Sequence, residues 1–151
     1  MRDLTDLLKE RALNDGVPVN VVRKEALQIY ALAEIYGRPE SRALTLQGGT
    51  CLRLVYNGVR YSEDLDFVTT LEADQLDELL TKVRSGLAKM GPFFTGQIET
   101  RVQKQSPSLT RWKVYLHAAD QRDSTSISLE FARYPAYTLQ VATLKPTLEL
   151  P

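Results

Sequence analysis

Cysteine and histidine are nearly missing from this chain: Cys51 and His117 are the single examples in 151 residues. One thiol cannot close an intramolecular disulfide, which points to a reducing interior. One imidazole excludes a multi-histidine zinc site within one chain. An excess of either charge is missing too, since 19 basic and 19 acidic side chains cancel. That balance argues against an overall basic coat for nucleic acid and leaves room for a local basic patch. There is no run of about 18 apolar residues to span a membrane, and MRDLTDLLKE is too charged for a signal peptide. These absences predict a cytoplasmic, soluble protein with no membrane partner.

What is present suffices for one domain spanning residues 1–151. Hydrophobic residues make up 43% and charged residues 25%, ordinary for a globular chain. A domain of this size buries roughly 68–70% of its unfolded surface and needs no staple.

Helical spacing of Leu4, Leu7, Leu8 and Leu13 predicts a helix over 3–14, stopped at Asp15-Gly16. Asn20 is the expected cap of a second helix, VVRKEALQIYALAEIYG, with Gly37 as its stop. Together residues 1–40 form a helical flank. ALTLQ at 43–47 reads as a short strand or helix end, Gly48-Gly49 as a turn, and TCLRLVYN as a short helix. VRYSEDLDFVT alternates, with Arg60, Ser62, Asp64, Asp66 and Val68 on one side of an expected strand. ADQLDELLTKVRSGLAKM is an amphipathic helix ended by Gly91-Pro92. FTGQIETRVQK, RWKVYLHA and TSISLEFARY are strand-like, the last two joined by the turn ADQRDS, and ATLKPTLELP is an extended tail. The order predicts an α+β fold, helices against a mostly antiparallel or mixed sheet.

The chemistry concentrates in LQGGTCLRLVYNGVRYSEDLDFVTT, residues 46–70. On a strand, Asp64 and Asp66 would share one face with about 7 Å between Cα atoms. Carboxylates that close repel unless a cation sits between them, and Mg²⁺ takes oxygen ligands while keeping places for water or substrate phosphates. Gly48 and Gly49 let backbone approach a phosphate, the Thr50 hydroxyl adds a donor, and Arg53 falls on the Thr50 side of the same helix. Arg60 would share the strand face of the two aspartates. Ser62 is open to two roles, bonding phosphate or orienting Asp64.

GGT-x-x-L-R, followed after a spacer by R-Y-S-E-D-L-D-F, resembles the signature of the AbiEii-type nucleotidyl transferases. These are toxins of AbiE-like toxin–antitoxin and abortive-infection systems, with the MenT toxins as relatives, in the DNA polymerase beta-like nucleotidyltransferase superfamily. The dense match covers Leu46 to Phe67, with looser agreement in element order to Tyr134. The resemblance implies a nucleotidyltransferase-like sheet flanked by helices. It implies an NTP substrate, Mg²⁺ or Mn²⁺ on Asp64 and Asp66, and phosphates held at Gly48, Gly49 and Thr50. Arg53 and Arg60 would stabilise charge. A third acid on a later strand is implied as well. Glu130 is its candidate as metal ligand and acceptor base, set between Leu129 and Phe131 and sharing a face with Ser126 and Ser128. An acid so flanked is costly unless paired, and pairing with Arg111 or Arg133 is the plainer reading. RNA, in particular the 3′ end of tRNA, is the acceptor the resemblance implies, and an antitoxin protein the partner. Such proteins continue into a helical half with a lysine-bearing helix and an Arg-Asp-rich segment. No such segment precedes Pro151, and Lys145 carries no matching motif.

Two other functions stay open: a nucleotide-binding module without catalysis, and a protein-interaction domain whose aspartates are solvent-facing. Arg101, Lys104, Arg111 and Lys113 in RVQKQSPSLTRWK suit either an RNA backbone or a solvated hairpin. Cys51 and His117 read best as structural, and Trp112, Tyr115 and Tyr134 as packing groups rather than platforms for bases.

Overall fold

The computed structural model describes residues 3–56, 58, 60–119, 122 and 124–134. The expected extended tail and Lys145 lie outside them. Helix α1 (Leu4–Asp15) starts at Asp3, whose side chain accepts from the Thr5 N–H, and stops at Gly16 with φ 66°. Only a residue that tolerates the left-handed region closes a helix this way. Helix α2 (Val19–Tyr36) begins after Pro18 rather than after Asn20. The fixed φ of proline makes it a suitable lead-in, and the Asn20 side chain instead accepts from the Thr125 hydroxyl.

Past a 3₁₀ turn (Pro39–Ala43) come β1 (Leu44–Gln47), α3 (Gly48–Leu54) and β2 (Leu65–Thr69). Then follow α4 (Ala73–Ala88), a second 3₁₀ turn (Gly91–Phe94), and the strands β3 (Gly96–Gln105), β4 (Leu109–Ala118) and β5 (Thr125–Arg133). α4 opens with a reciprocal cap between Glu72 and Gln75. Two expectations need correction. Gly48-Gly49 is not a turn ahead of a helix but the first two residues of α3. The strand expected from Val59 begins only at Leu65, so Arg60 and Ser62 belong to the connection before it.

The strands form one mixed sheet in the order β1-β2-β5-β4-β3. β2 and β5 run parallel and the other neighbouring pairs antiparallel. Thus β5, last in sequence, lies between β2 and β4. Side chains alternate across the sheet. Leu65 and Phe67 of β2, Trp112, Val114 and Leu116 of β4, and Ile127, Leu129 and Phe131 of β5 are all buried. The Phe67 and Phe131 rings stack at 5.0 Å, and Trp112 packs on Phe131 at 4.5 Å. α2 packs on β5 and α4, and α4 on β3. Leu76, Leu79, Leu80, Val83 and Leu87 of α4 join the same core. With the apolar side chains on the helix-covered face, the alternate positions carry the polar groups of the opposite face.

Candidate active site

The polar face is assembled by strand register. Gln47 faces Asp66 across β1 and β2, Asp66 faces Glu130 across β2 and β5, and Glu130 faces Arg111 across β5 and β4. Asp66 and Glu130, far apart in sequence, are direct neighbours through the parallel pair. Asp64 precedes β2, and its Oδ1 accepts the Ser128 N–H at 3.0 Å. That bond fixes one carboxylate oxygen and leaves the other to a ligand.

Asp66 is half-buried. Burial, the Glu130 charge and then the Asp64 charge push its carboxyl above the usual carboxylate range. No described residue donates a hydrogen bond to it. Glu130 does have a partner: Arg111 reaches its Oε1 from Nε at 2.7 Å and from Nη2 at 2.5 Å. Among the described residues no three His, Cys, Asp or Glu side chains are gathered as a ready-made metal set. The donors present are nevertheless all hard oxygens, the type Mg²⁺ and Mn²⁺ select. An anionic half-buried carboxylate with acids beside it fits a cation.

Gly48 stands directly against Asp66. Its φ is 81°, and a Cβ there would come within 2.8 Å of Asp66 Oδ2. Glycine supplies both the left-handed backbone and the room. A Cβ on Gly49 would lie 3.2 Å from Ser62 Oγ. The Thr50 side chain is fully buried, and its hydroxyl donates to the Asp64 carbonyl. Because that uses the one Thr50 proton, the 2.7 Å contact between the two hydroxyls has Ser62 donating to Thr50. Thr50 and Ser62 therefore tie the start of α3 to the residue carrying the first acid. Ser62 reaches Asp64 only through Thr50, and it also lines a neighbouring cavity.

Arg53 departs from expectation. It is buried, its guanidinium bonds Glu25 through Nε and Nη2 at 3.1 and 3.2 Å, and Nη1 donates to the Gly58 carbonyl. Tyr61 covers it at 4.0 Å. It is held as half of an ion pair and also lines the cavity beside Arg60. Arg60 is exposed and lines a cavity of about 360 Å³ with Gly49, Tyr61 and Ser62. A larger apolar recess of about 610 Å³, at the α1–α2 turn around Leu13 and Val17, contains none of these site residues.

Sequence reasoning missed the support that α2 gives. Gln28 Nε2 donates to the carbonyls of Ser62 and Glu63, each at 3.0 Å. Gln28 and Glu25 are each about 1% exposed. Glu25 and Gln28, three apart among the buried positions of α2 that also include Val22, Ala26 and Leu32, were the available signal. Of the remaining residues, Trp112 is wholly buried, and burial raises the Cys51 thiol pKa. His117 is exposed, stacks on Tyr115 and sits 3.6 Å from Glu99.

A mixed sheet with helices on one face and paired acids on the other, behind a Gly-Gly helix start, defines a nucleotidyltransferase-like domain. The chain belongs to the AbiEii family: the profile described as nucleotidyl transferase AbiEii toxin, Type IV TA system, matches residues 30–151. Among solved structures it is similar to JHP933 from Helicobacter pylori, with TM-score 0.57 and 24% identity over 78% of this chain and 46% of that one. It is also similar to an H. pylori protein described as a "putative nucleotidyltransferase", with TM-score 0.53 and 26% identity over 82% of this chain and 45% of that one. The chain thus spans less than half the length of either. No curated protein matches it. Among the described residues no helix is long and apolar enough to cross a membrane.

Proposed function

We propose that this protein moves a nucleoside monophosphate from an NTP to an acceptor hydroxyl, as the toxin of a toxin–antitoxin or abortive-infection system. The observation carrying this reading is Asp66: half-buried, without a donor among the described residues, and flanked by the charges of Glu130 and Asp64. A carboxylate so placed calls for a cation, and Asp64, Asp66 and Glu130 would hold Mg²⁺ or Mn²⁺. When bound, that ion neutralises triphosphate charge and favours in-line displacement.

The chain's own residues do the rest. Gly48 and Gly49 let the start of α3 close on Asp66 and Ser62, and exposed Arg60 offers a cation for the phosphates at the neighbouring cavity. Glu130 is the base that takes the acceptor proton. A bond forms from the acceptor oxygen to the α-phosphorus, the α–β bridging bond breaks, and pyrophosphate leaves. An RNA acceptor, in particular a tRNA 3′ end, is supported by the basic side chains of β3 and β4 on the same face. The family's toxin–antitoxin context supports an antitoxin partner and a cytoplasmic setting.

The test is to incubate the protein with each labelled NTP, Mg²⁺ and total tRNA. Label should move to RNA, and Asp66→Ala should reduce transfer to background. Undiminished transfer by that variant would sink the reading. Because the chain spans under half of its structural neighbours, a nucleotide-binding module without turnover is the second reading. It expects an NTP-dependent rise in melting temperature with no label transferred by the wild-type chain.

A further inference from the structure

Asp66, Glu130 and Arg111 occupy one row of the open sheet face, on β2, β5 and β4 in turn. Among the described residues, the pair with Arg111 is the one ion pair made by Asp64, Asp66 or Glu130. Both Arg111 contacts go to Glu130 Oε1, which leaves Oε2 without a described donor. The pair is about one-third exposed on each side, so it is neither locked in the core nor a screened surface contact. It lies at the rim of an anionic cluster whose carboxylates have no other fixed counter-charge among the described residues.

We propose that Arg111 is the resident counter-ion of this cluster, competing with a divalent cation for Glu130. In the apo protein its guanidinium holds the third carboxylate on the β4 side. When the cation takes Glu130, the guanidinium is released beside the place the triphosphate occupies. Its planar fork suits phosphate oxygens. Arg111 is thus a positioning residue that makes cation and nucleotide binding interdependent: each partner removes a reason for Arg111 to stay on Glu130. This rests on reading the three acids as a cation site.

The test is Mn²⁺ binding to the full chain, by calorimetry and by electron paramagnetic resonance of the free ion, without any turnover. Arg111→Gln should bind Mn²⁺ about tenfold more tightly than wild type, since one positive charge next to the ion is gone. Lys113→Gln, one pair further along β4, should change affinity less than about twofold by the same reasoning. In a Glu130→Gln background, Arg111→Gln should bring a smaller gain than in wild type, because the contested carboxylate is absent and only the loss of charge remains. ATP should tighten Mn²⁺ binding more in wild type than in Arg111→Gln. Unchanged or weaker Mn²⁺ binding by a folded Arg111→Gln overturns the proposal. Should that variant fail to fold, Arg111→Lys, which keeps the charge but loses the fork, decides. It should bind Mn²⁺ modestly tighter, and equal or lower affinity overturns the proposal. If Mn²⁺ does not bind wild type, or binds Asp66→Asn equally well, the cation-site reading fails and this inference with it. If binding depends on Asp66 but ignores Arg111, only the inference fails.

Discussion

Asp66 is held in a place that suits a ligand better than it suits folding. Its carboxyl titrates above the ordinary value of 3.8 because burial and two neighbouring acids disfavour the charged form. The folded state therefore binds its proton more tightly than the unfolded state does. Stability linked to Asp66 falls as pH rises from 3.8 through the higher folded value. Asp66→Asn should raise the melting temperature at neutral pH, and the gain should vanish in thermal melts below that window. Gly48 is a second residue whose chemistry is geometric. Gly48→Ala forces a Cβ into the left-handed region at a cost of about 1–2 kcal/mol. It also presses on Asp66 Oδ2. Lower denaturant stability together with weakened Mn²⁺ binding is the expected pair of results. Intact binding would show that Asp66 has room to move aside.

At the scale of elements, α2 acts as the scaffold of the connection that carries Ser62 and Asp64. Gln28 holds its backbone, and Glu25 holds Arg53 of α3 from below. Removing one partner of a buried pair strands the other charge. Glu25→Gln should cost roughly 3–5 kcal/mol in urea unfolding, whereas Glu25→Leu with Arg53→Met should recover most of it. The alternation of β4 and β5 was readable in advance, and so were the shared face of Glu130 with Ser126 and Ser128 and the two N-terminal helices. Helical and strand periods record which side of an element is apolar. The late start of β2 was not readable, because Tyr61 to Glu63 alternates in sequence while bonding to the helices α1, α2 and α3. Nor was the fate of Arg53, whose partner lies on an element packed only in the tertiary fold. The approach of Asp66 to Glu130 depends on a parallel pairing that no local spacing encodes, and only family resemblance anticipated it.

Across the whole molecule, a neutral chain hides an uneven sheet. Acids gather on β2 and β5, while Lys104, Arg111, Lys113 and Arg101 lie on β3 and β4, with Arg101 partly answered by Glu99. An RNA strand presenting its end to Glu130 would lay its phosphates toward the basic strands. Lys104→Glu combined with Lys113→Glu should weaken RNA binding and flatten its salt dependence by about one unit of slope per lost phosphate contact. NTP-induced stabilisation should be unchanged. Equal RNA affinity in filter binding at two salt concentrations would rule that face out. The position of β5 between β2 and β4 also sets a schedule for synthesis. Until residues 125–133 have left the ribosome, β1-β2 and β3-β4 are two separate ribbons with a gap between them. On a nascent chain the row from Asp66 through Glu130 to Arg111 therefore cannot assemble until β5 arrives and closes the sheet.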